Sequence, residues 1–289
     1  MQILITGCTG YVGGILSRYF EREHEVLGVS DNCIPDDTHF LCDLRQIESV
    51  SALAENIRPN VILHAAGVKD ITFCENNHES AMAINCQTTE NLARVFGNYC
   101  RVVYISTDYV FDGHRGNYSE QDLPMPSTYY GQSKLAGEHK GILVAPDAFT
   151  IVRTAALYDL QATFLKFLFN TLSKGEIIKC FSDTVYSPTY YADFLAIVEK
   201  ILLGSDTQKI YHACGQSTTR YLFAQCFAEA FGFRTCLIEP CSYQEQGLSL
   251  FPNLSINSEK TQSGLDVRIR SHEQALYELA RLQVKNENN

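Results

Sequence analysis

"TGCTGYVG", residues 6–13, sets three glycines, Gly7, Gly10 and Gly13, at intervals of three. It follows a short apolar run, "QILIT" (2–6), and leads into "YVGGILSRYFERE" (11–23), whose apolar residues recur at helical spacing with a charged outer face. A strand, a glycine turn and a helix in that order bring free backbone N–H groups and the positive end of a helix dipole to one point. Glycines let the chain turn tightly there and let a pyrophosphate come close. The pattern is GxxGxxG rather than the commoner GxGxxG, and it points to dinucleotide binding. A glycine-rich turn without a ligand is the plain alternative.

Working outward, the alternation continues. "EVLGVS" (25–30) reads as a second strand, "IESVSALAENI" (47–57) as a helix and "NVILHAA" (60–66) as a third strand. "ESAMAINCQTTENLARVFGNY" (79–99) is a long helix, and "RVVYIS" (101–106) and "AFTIVRT" (148–154) are near-continuous apolar strands. Strands alternating with helices imply a doubly wound parallel sheet covered on both faces, an α/β fold. After about residue 155 the pattern loosens. Helices are expected over 162–175 and 189–204, each stopped by a glycine, with one more strand in "KIYHAC" (209–214). The Phe/Leu stripe of 164–172 reads as core. The expected division is a dinucleotide-binding domain over 1–155, with a returning segment at about 190–212, and a smaller lobe from 156–189 and 213–289.

The chain has 289 residues, enough for a sizeable core, and 45% hydrophobic with 19% charged residues is ordinary globular composition. A net charge of −10 with no offsetting Lys/Arg cluster argues against a nucleic-acid partner. No run approaches the length of a membrane span, and residues 2–6 already read as a buried strand rather than a leader. Eleven cysteines, none in a CxxC, suit small buried hydrophobes in a reducing cytosol better than a zinc site or a disulfide framework. The expected location is cytoplasmic.

Chemistry-bearing residues fall at the carboxyl ends of these strands, where ligands of doubly wound sheets sit. Asp31 ends the second strand. A carboxylate there can accept hydrogen bonds from an adenosine ribose and would repel a 2′-phosphate, favouring NAD(H) over NADP(H); a plain turn aspartate is the alternative. Asp43 could approach the adenine or cap the following helix. Ser106, Thr107 and Asp108 follow the fourth strand. "YYGQSKLAGE" (129–138) then places Lys134 four residues after Tyr130, on one face of a helix. The spacing alone is a weak motif, and a surface pair would satisfy it. Yet a free phenol titrates near pH 10, and a neighbouring ammonium can lower that value into a useful range for proton transfer.

The glycine turn, "HAAG" (64–67), Asn85, the Ser-Thr after a strand and Tyr130-x-x-x-Lys134 together resemble the extended short-chain dehydrogenases/reductases. "STDYVFDG" (106–113), "YGQSKLAGE" (130–138), "IVRT" (151–154), "SPTYYADFLAIV" (187–198) and "IYHACG" (210–215) are similar to the dTDP-4-dehydrorhamnose reductases and their relatives, along nearly the whole chain. The resemblance implies a Rossmann-like domain with a C-terminal substrate lobe, reducing a nucleotide-linked 4-keto sugar with NAD(P)H. It casts Tyr130 as proton donor, Lys134 as its tuner and holder of the nicotinamide ribose, and Thr107 as the hydroxyl that polarises the substrate carbonyl. It places Gly7, Thr9, Gly10, Tyr11, Val12, Gly13, Asp31, Cys42, Asp43, Leu44, His64, Ala65 and Ala66 at the cofactor, with His64 packed beneath it rather than catalytic. Val68, Lys69, Asp108 and Arg153 fall on the substrate side. Lys69 could instead be a loop lysine and Asp108 a turn-stabilising residue. Asn85 could brace a catalytic water or a backbone kink, or be an ordinary helix polar group. A homodimer is left open.

Two departures bear on the substrate. Where the reductases usually carry a bulky aromatic after "RTS", this chain reads "RTAALY", with Ala155 and Ala156, so a stacking surface for the sugar is missing. The tail "LFPNLSINSEK" (250–260) resembles the family's nucleotide-sugar segment without firm base-recognition residues. Two other readings compete. One is an epimerase or dehydratase of such a sugar; the dehydratases typically carry Asp-Glu after the threonine, whereas here Asp108 is followed by Tyr109. A non-catalytic dinucleotide-binding regulatory subunit, similar to the β subunit of methionine adenosyltransferase, would not need Tyr130, Lys134 and Thr107 together.

Overall fold

In the computed structural model, which describes residues 1–204, 208–246 and 251–287, seven strands form one sheet. They are β1 (Gln2–Thr6), β2 (Glu25–Ser30), β3 (His39–Leu41), β4 (Val61–His64), β5 (Arg101–Thr107), β6 (Phe149–Thr154) and the strand Ile210–Ala213. The order across the sheet is β3-β2-β1-β4-β5-β6 and then Ile210–Ala213. β1 pairs in parallel with β2, Thr6 opposite Val29, and with β4, Thr6 opposite His64. The order therefore reverses between β1 and β4. This is the switch point at which a doubly wound sheet opens a crevice beyond its carboxyl ends. β1 and β4 have almost no exposed side chain because both faces of the sheet are covered, which is why they read as unbroken apolar runs.

The helices of this half are α1 (Tyr11–Phe20), α2 (Ile47–Asn56), α3 (Ile71–Asn76), α4 (His78–Met82), α5 (Thr88–Phe96) and α6 (Tyr129–Val144). Leu4, Val29, Ile62, Val102 and Ile151 from the strands pack with Val50, Leu53, Leu92 and Phe96 from the helices. The expected long helix of 79–99 is present but not uniform. A π-type turn, Ala83–Gln87, joins α4 to α5. β3 and α3 escape a periodicity reading because three and six residues are too few to show a period.

The chain divides into two compact units. The first is 1–111, 124–153 and 201–211; the second is 112–123, 154–200 and 212–289. The division differs from the sequence expectation at two places. Residues 112–123 leave for the second unit, because Tyr118 bonds through its backbone to Ser255 and Asn257. The returning segment begins at 201, since most of the helix Tyr191–Leu203 belongs to the second unit. That unit has its own core. Leu165, Leu168 and Leu172 from the 164–172 stripe pack with Phe223, Phe227 and Leu276, so the stripe is core. Within the tail, Pro252 and Leu254 bond to Val185, whereas Leu250 lies outside the described residues.

Candidate functional site

The glycine turn is shaped by close approach. Gly7 has φ +67, and a Cβ on Gly13 would stand 2.1 Å from the Gly7 carbonyl oxygen. Only a hydrogen fits there, so α1 can begin immediately beyond β1. No side chain caps the start of α1, which leaves its first N–H groups for a ligand. This turn forms one wall of a cavity of about 450 Å³ at the switch point.

Most of the predicted cofactor residues meet there. Gly7, Thr9 and Gly10 share the cavity with Asp31, with Cys42, Asp43 and Leu44, and with Ala65 and Ala66. Val68 and Lys69, expected on the substrate side, line this same cavity. The Lys69 ammonium lies 5.7 Å from the centre of the Tyr11 ring. Tyr11, Val12 and Gly13, also expected at the cofactor, begin α1 and are not among the residues lining the cavity. Asp43 does not cap α2, whose N-cap is Gln46. Its carboxylate instead takes a two-pronged ion pair from Arg45, at 2.8 and 2.9 Å, and is held below the usual carboxylate range by it. Sequence reasoning missed Arg45, Ser30 and Asn32, which also line the cavity. Ser30 and Asn32 form a polar cluster with the Thr9 hydroxyl.

His64, expected to pack beneath the cofactor, is not among the residues lining the cavity. Its side chain is fully buried, with its ring nitrogens 2.7 Å from Thr6 Oγ1 and 3.0 Å from Thr89 Oγ1. Burial pushes its pKa down to about 3, so it is a neutral core group. The same Thr6 hydroxyl accepts from the Ala66 N–H, and the histidine thus steadies the cavity wall from one layer below.

Asn85 lies in the π-type turn, fully buried. Its side chain closes both backbone groups of Val68 and donates to Ser133 Oγ, all at 2.9 Å. It therefore braces the cavity loop against α6. A π-type turn turns such a side chain out of helical register, a recurrent device at functional sites.

α6 carries the Tyr130/Lys134 pair. Thr128 caps it, accepting from the Gly131 N–H. Gly137 lets it press against the π-type turn, since a Cβ there would stand 2.6 Å from the Asn85 carbonyl oxygen. Tyr130 is partly accessible, with the Thr107 side chain close enough to act on its pKa and its ring edge-on to Tyr109 at 5.5 Å. Thr107 in turn donates to Asp108 at 3.0 Å and accepts from the Tyr109 N–H. Lys134 is buried. Its ammonium donates to the Ile105 carbonyl at 2.8 Å and lies 4.0 Å from the centre of the Tyr104 ring. A Cβ on Gly67, a cavity residue, would come within 3.8 Å of that nitrogen.

The expected lowering of the Tyr130 pKa is corrected. Burial is the largest influence and raises it, the Thr107 side chain lowers it, and the Asp108 charge raises it further. It is Lys134 that moves into the neutral range. Burial drops it from 10.5 to about 7, against the opposing pull of Glu138. Between those two values the unfolded chain binds a proton that the folded chain does not, so this amine makes stability rise with pH across that window. Lys134→Met should abolish that share of the rise in the protein without cofactor. Urea midpoints at pH 7, 8.5 and 10 for both proteins check this; parallel curves refute it.

Arg153 is corrected from a substrate contact. It is buried and forms a double ion pair with Glu138 of α6, at 3.0 and 2.7 Å, with its guanidinium 5.2 Å from the centre of the Phe111 ring. Ser106 donates to the same carboxylate at 2.5 Å. The trio ties α6 to the ends of β5 and β6.

The sequence model of one family, described as the RmlD substrate binding domain, matches residues 1–283. The chain belongs to that family. Among relatives, a protein of Haloferax volcanii named "Probable low-salt glycan biosynthesis reductase Agl14" is 31% identical, with 83% of each chain covered. The methionine adenosyltransferase 2 subunit beta of Danio rerio is 29% identical, covering 85% of this chain and 79% of its own. Among solved structures, the dTDP-4-dehydrorhamnose reductase of Bacillus anthracis, in complex with NADP, superposes with a TM-score of 0.86 at 26% identity. The match spans 96% of this chain and 98% of that one. The relatives of this chain thus include proteins named as reductases and proteins named as subunits, and the side chains of the site must choose between them.

Proposed function

We propose that the protein is an NAD(P)H-dependent oxidoreductase that reduces a nucleotide-linked 4-keto sugar. One observation carries the reading: Tyr130 stands close enough to Thr107 for that side chain to act on its pKa, on the helix that seats the Lys134 amine beside Gly67 of the cavity. A subunit that only bound a dinucleotide would need the cavity but not this constellation. The similarity to reductases on one side and to the NADP-bound structure on the other supports both halves of the reading.

The glycine turn and the uncapped start of α1 fit a pyrophosphate, and Asp31, Cys42, Asp43 and Leu44 fit the adenosine half. The nicotinamide, when bound, supplies the hydride. The chain's own residues manage the proton. Tyr130 stays protonated at neutral pH and donates from its hydroxyl oxygen to the carbonyl oxygen of the sugar. Thr107, beside the phenol, would donate to the same oxygen by turning its hydroxyl hydrogen away from Asp108. Lys134 anchors the ribose side of the cofactor and can supply charge beneath the phenol. Asp108 fixes the Thr107 hydroxyl. Ala155 is buried and Ala156 exposed, so neither gives the ring a stacking surface for the sugar.

The similarity to methionine adenosyltransferase subunit beta favours a second reading, a dinucleotide-binding regulatory subunit. A panel of dTDP-, UDP-, GDP- and CDP-linked 4-keto sugars, followed by loss of the reduced nicotinamide signal, separates the two. The reductase reading expects stoichiometric oxidation with at least one sugar. Tight cofactor binding without oxidation across the panel would favour the subunit.

A further inference from the structure

The first residue of α6 is held from outside its own helix. Tyr129 opens α6, directly before the proton donor Tyr130. Its backbone N–H is one of those that a helix start leaves without an intrahelical partner. α6 has no acidic residue in its first turn, and its cap, Thr128, takes the Gly131 N–H. The Tyr129 N–H donates instead to Glu75 Oε1 of α3 at 2.7 Å, 54 positions away. A carboxylate there also meets the positive end of the helix dipole. The ring of the same residue is held too. His78, at the start of α4, stacks on it with centroids 3.7 Å apart and planes 8° from parallel.

These two contacts lead back to the cavity. Residues 65–70 all line it, and Asp70 caps α3 through the Phe73 N–H. One run of chain therefore lines the cavity and then carries Glu75 and His78 to α6. Farther on, Asn85 ties Val68 of that lining to Ser133 of α6. Tyr130 needs such support. It is the second residue of α6, and helix ends fray. A proton donor must also stand within hydrogen-bond reach of its acceptor, and a misplacement of about 1 Å can cost about 10² in rate. We infer that Glu75 and His78 are positioning residues for the Tyr130 phenol, fixing the first turn of α6 to the segment that lines the cofactor cavity. The inference rests on the reductase reading and goes beyond it by giving a task to two exposed residues that do not line the cavity.

Turnover of a sugar that passes the panel and nicotinamide fluorescence titrations test the pair. Glu75→Ala should lower kcat by about tenfold, roughly the scale of one charge-assisted contact, with cofactor affinity changed by less than about twofold. His78→Ala should lower kcat by about threefold, the scale of one aromatic pair. Glu75→Gln keeps an oxygen acceptor and His78→Phe keeps a flat ring, so each should recover most of its loss. The same Glu75→Ala change is then made in Tyr130→Phe. With no phenol to aim, it should cost nothing further on the residual rate, since residues that act as a unit do not add. An equal loss in both backgrounds would overturn the inference and leave the reductase reading intact. So would a lower melting temperature with normal kcat in Glu75→Ala, the mark of a cap that only stabilises. A wild type that oxidises no sugar of the panel would overturn both.

Discussion

Tyr130→Phe should lower turnover of the keto sugar by about 10²–10⁴, or roughly 3–5 kcal/mol of barrier, with little change in cofactor affinity. The substitution removes one oxygen and keeps the ring, so the edge-on contact with Tyr109 survives. Thr107 keeps its bonds to Asp108 and the Tyr109 N–H. The cavity that takes the adenosine half is lined by other residues, which is why binding should be spared. The pH profile follows from the direction of the Tyr130 shift. The phenol is held above its ordinary value of 10.0, so it remains protonated throughout the neutral range. The reductive rate should therefore show no falling limb from this group between neutrality and that value. Steady-state rates of the wild type and variant with a sugar that passes the panel, beside nicotinamide fluorescence titrations, decide the matter. Near-normal turnover in Tyr130→Phe would end the proton-donor assignment.

Arg153→Met should strongly destabilise the fold. It strands the Glu138 carboxylate in a site where both partners have only 2% of their side chains accessible, with Ser106 as its remaining donor. Removing one member of a buried ion pair typically costs about 3–5 kcal/mol, because the other charge loses its compensation. Replacing both members restores much of that loss, since two apolar groups need no partner. The double variant Glu138→Leu/Arg153→Met should therefore be more stable than Arg153→Met alone. The double variant also separates stability from function: Glu138 opposes the burial-driven drop of the Lys134 pKa, so its loss should leave Lys134 still more readily deprotonated. Urea denaturation of the two variants and the wild type measures the first effect. A cost below about 1 kcal/mol for Arg153→Met, the level of an exposed pair, would show that the trio is not sealed from water.

Both expectations concern α6, yet they differ in how they could be read. The Tyr130/Lys134 relation is a matter of helical spacing, and a string of letters carries it. Arg153 looks, in sequence, like a cation at the carboxyl end of a strand, which is where substrates sit. Only the packing of α6 against β5 and β6 turns it inward to Glu138. His64 was read as lying beneath the cofactor, but nothing in sequence announces the two threonines that enclose it, one 58 and the other 25 positions away. Asn85 could not be resolved between roles, because the π-type turn that directs it leaves no local signature.

What the sequence determined by itself is short-range. The glycines of 6–13, the alternation of apolar runs with amphipathic ones, and the four-residue interval of Tyr130 and Lys134 act over a few residues, and their consequences follow from sterics and helix geometry alone. The parallel sheet, the cavity's position and most of its lining were legible for that reason. Tertiary structure decided whatever depended on burial and on distant partners. It raised the Tyr130 pKa and lowered that of Lys134, because desolvation is set by how the whole unit closes over a group. It also placed Arg45 near Asp31, through a three-residue edge strand too short to leave a periodic trace, so that the charge at the adenosine end is a sum across two chain segments that pairing alone brings together.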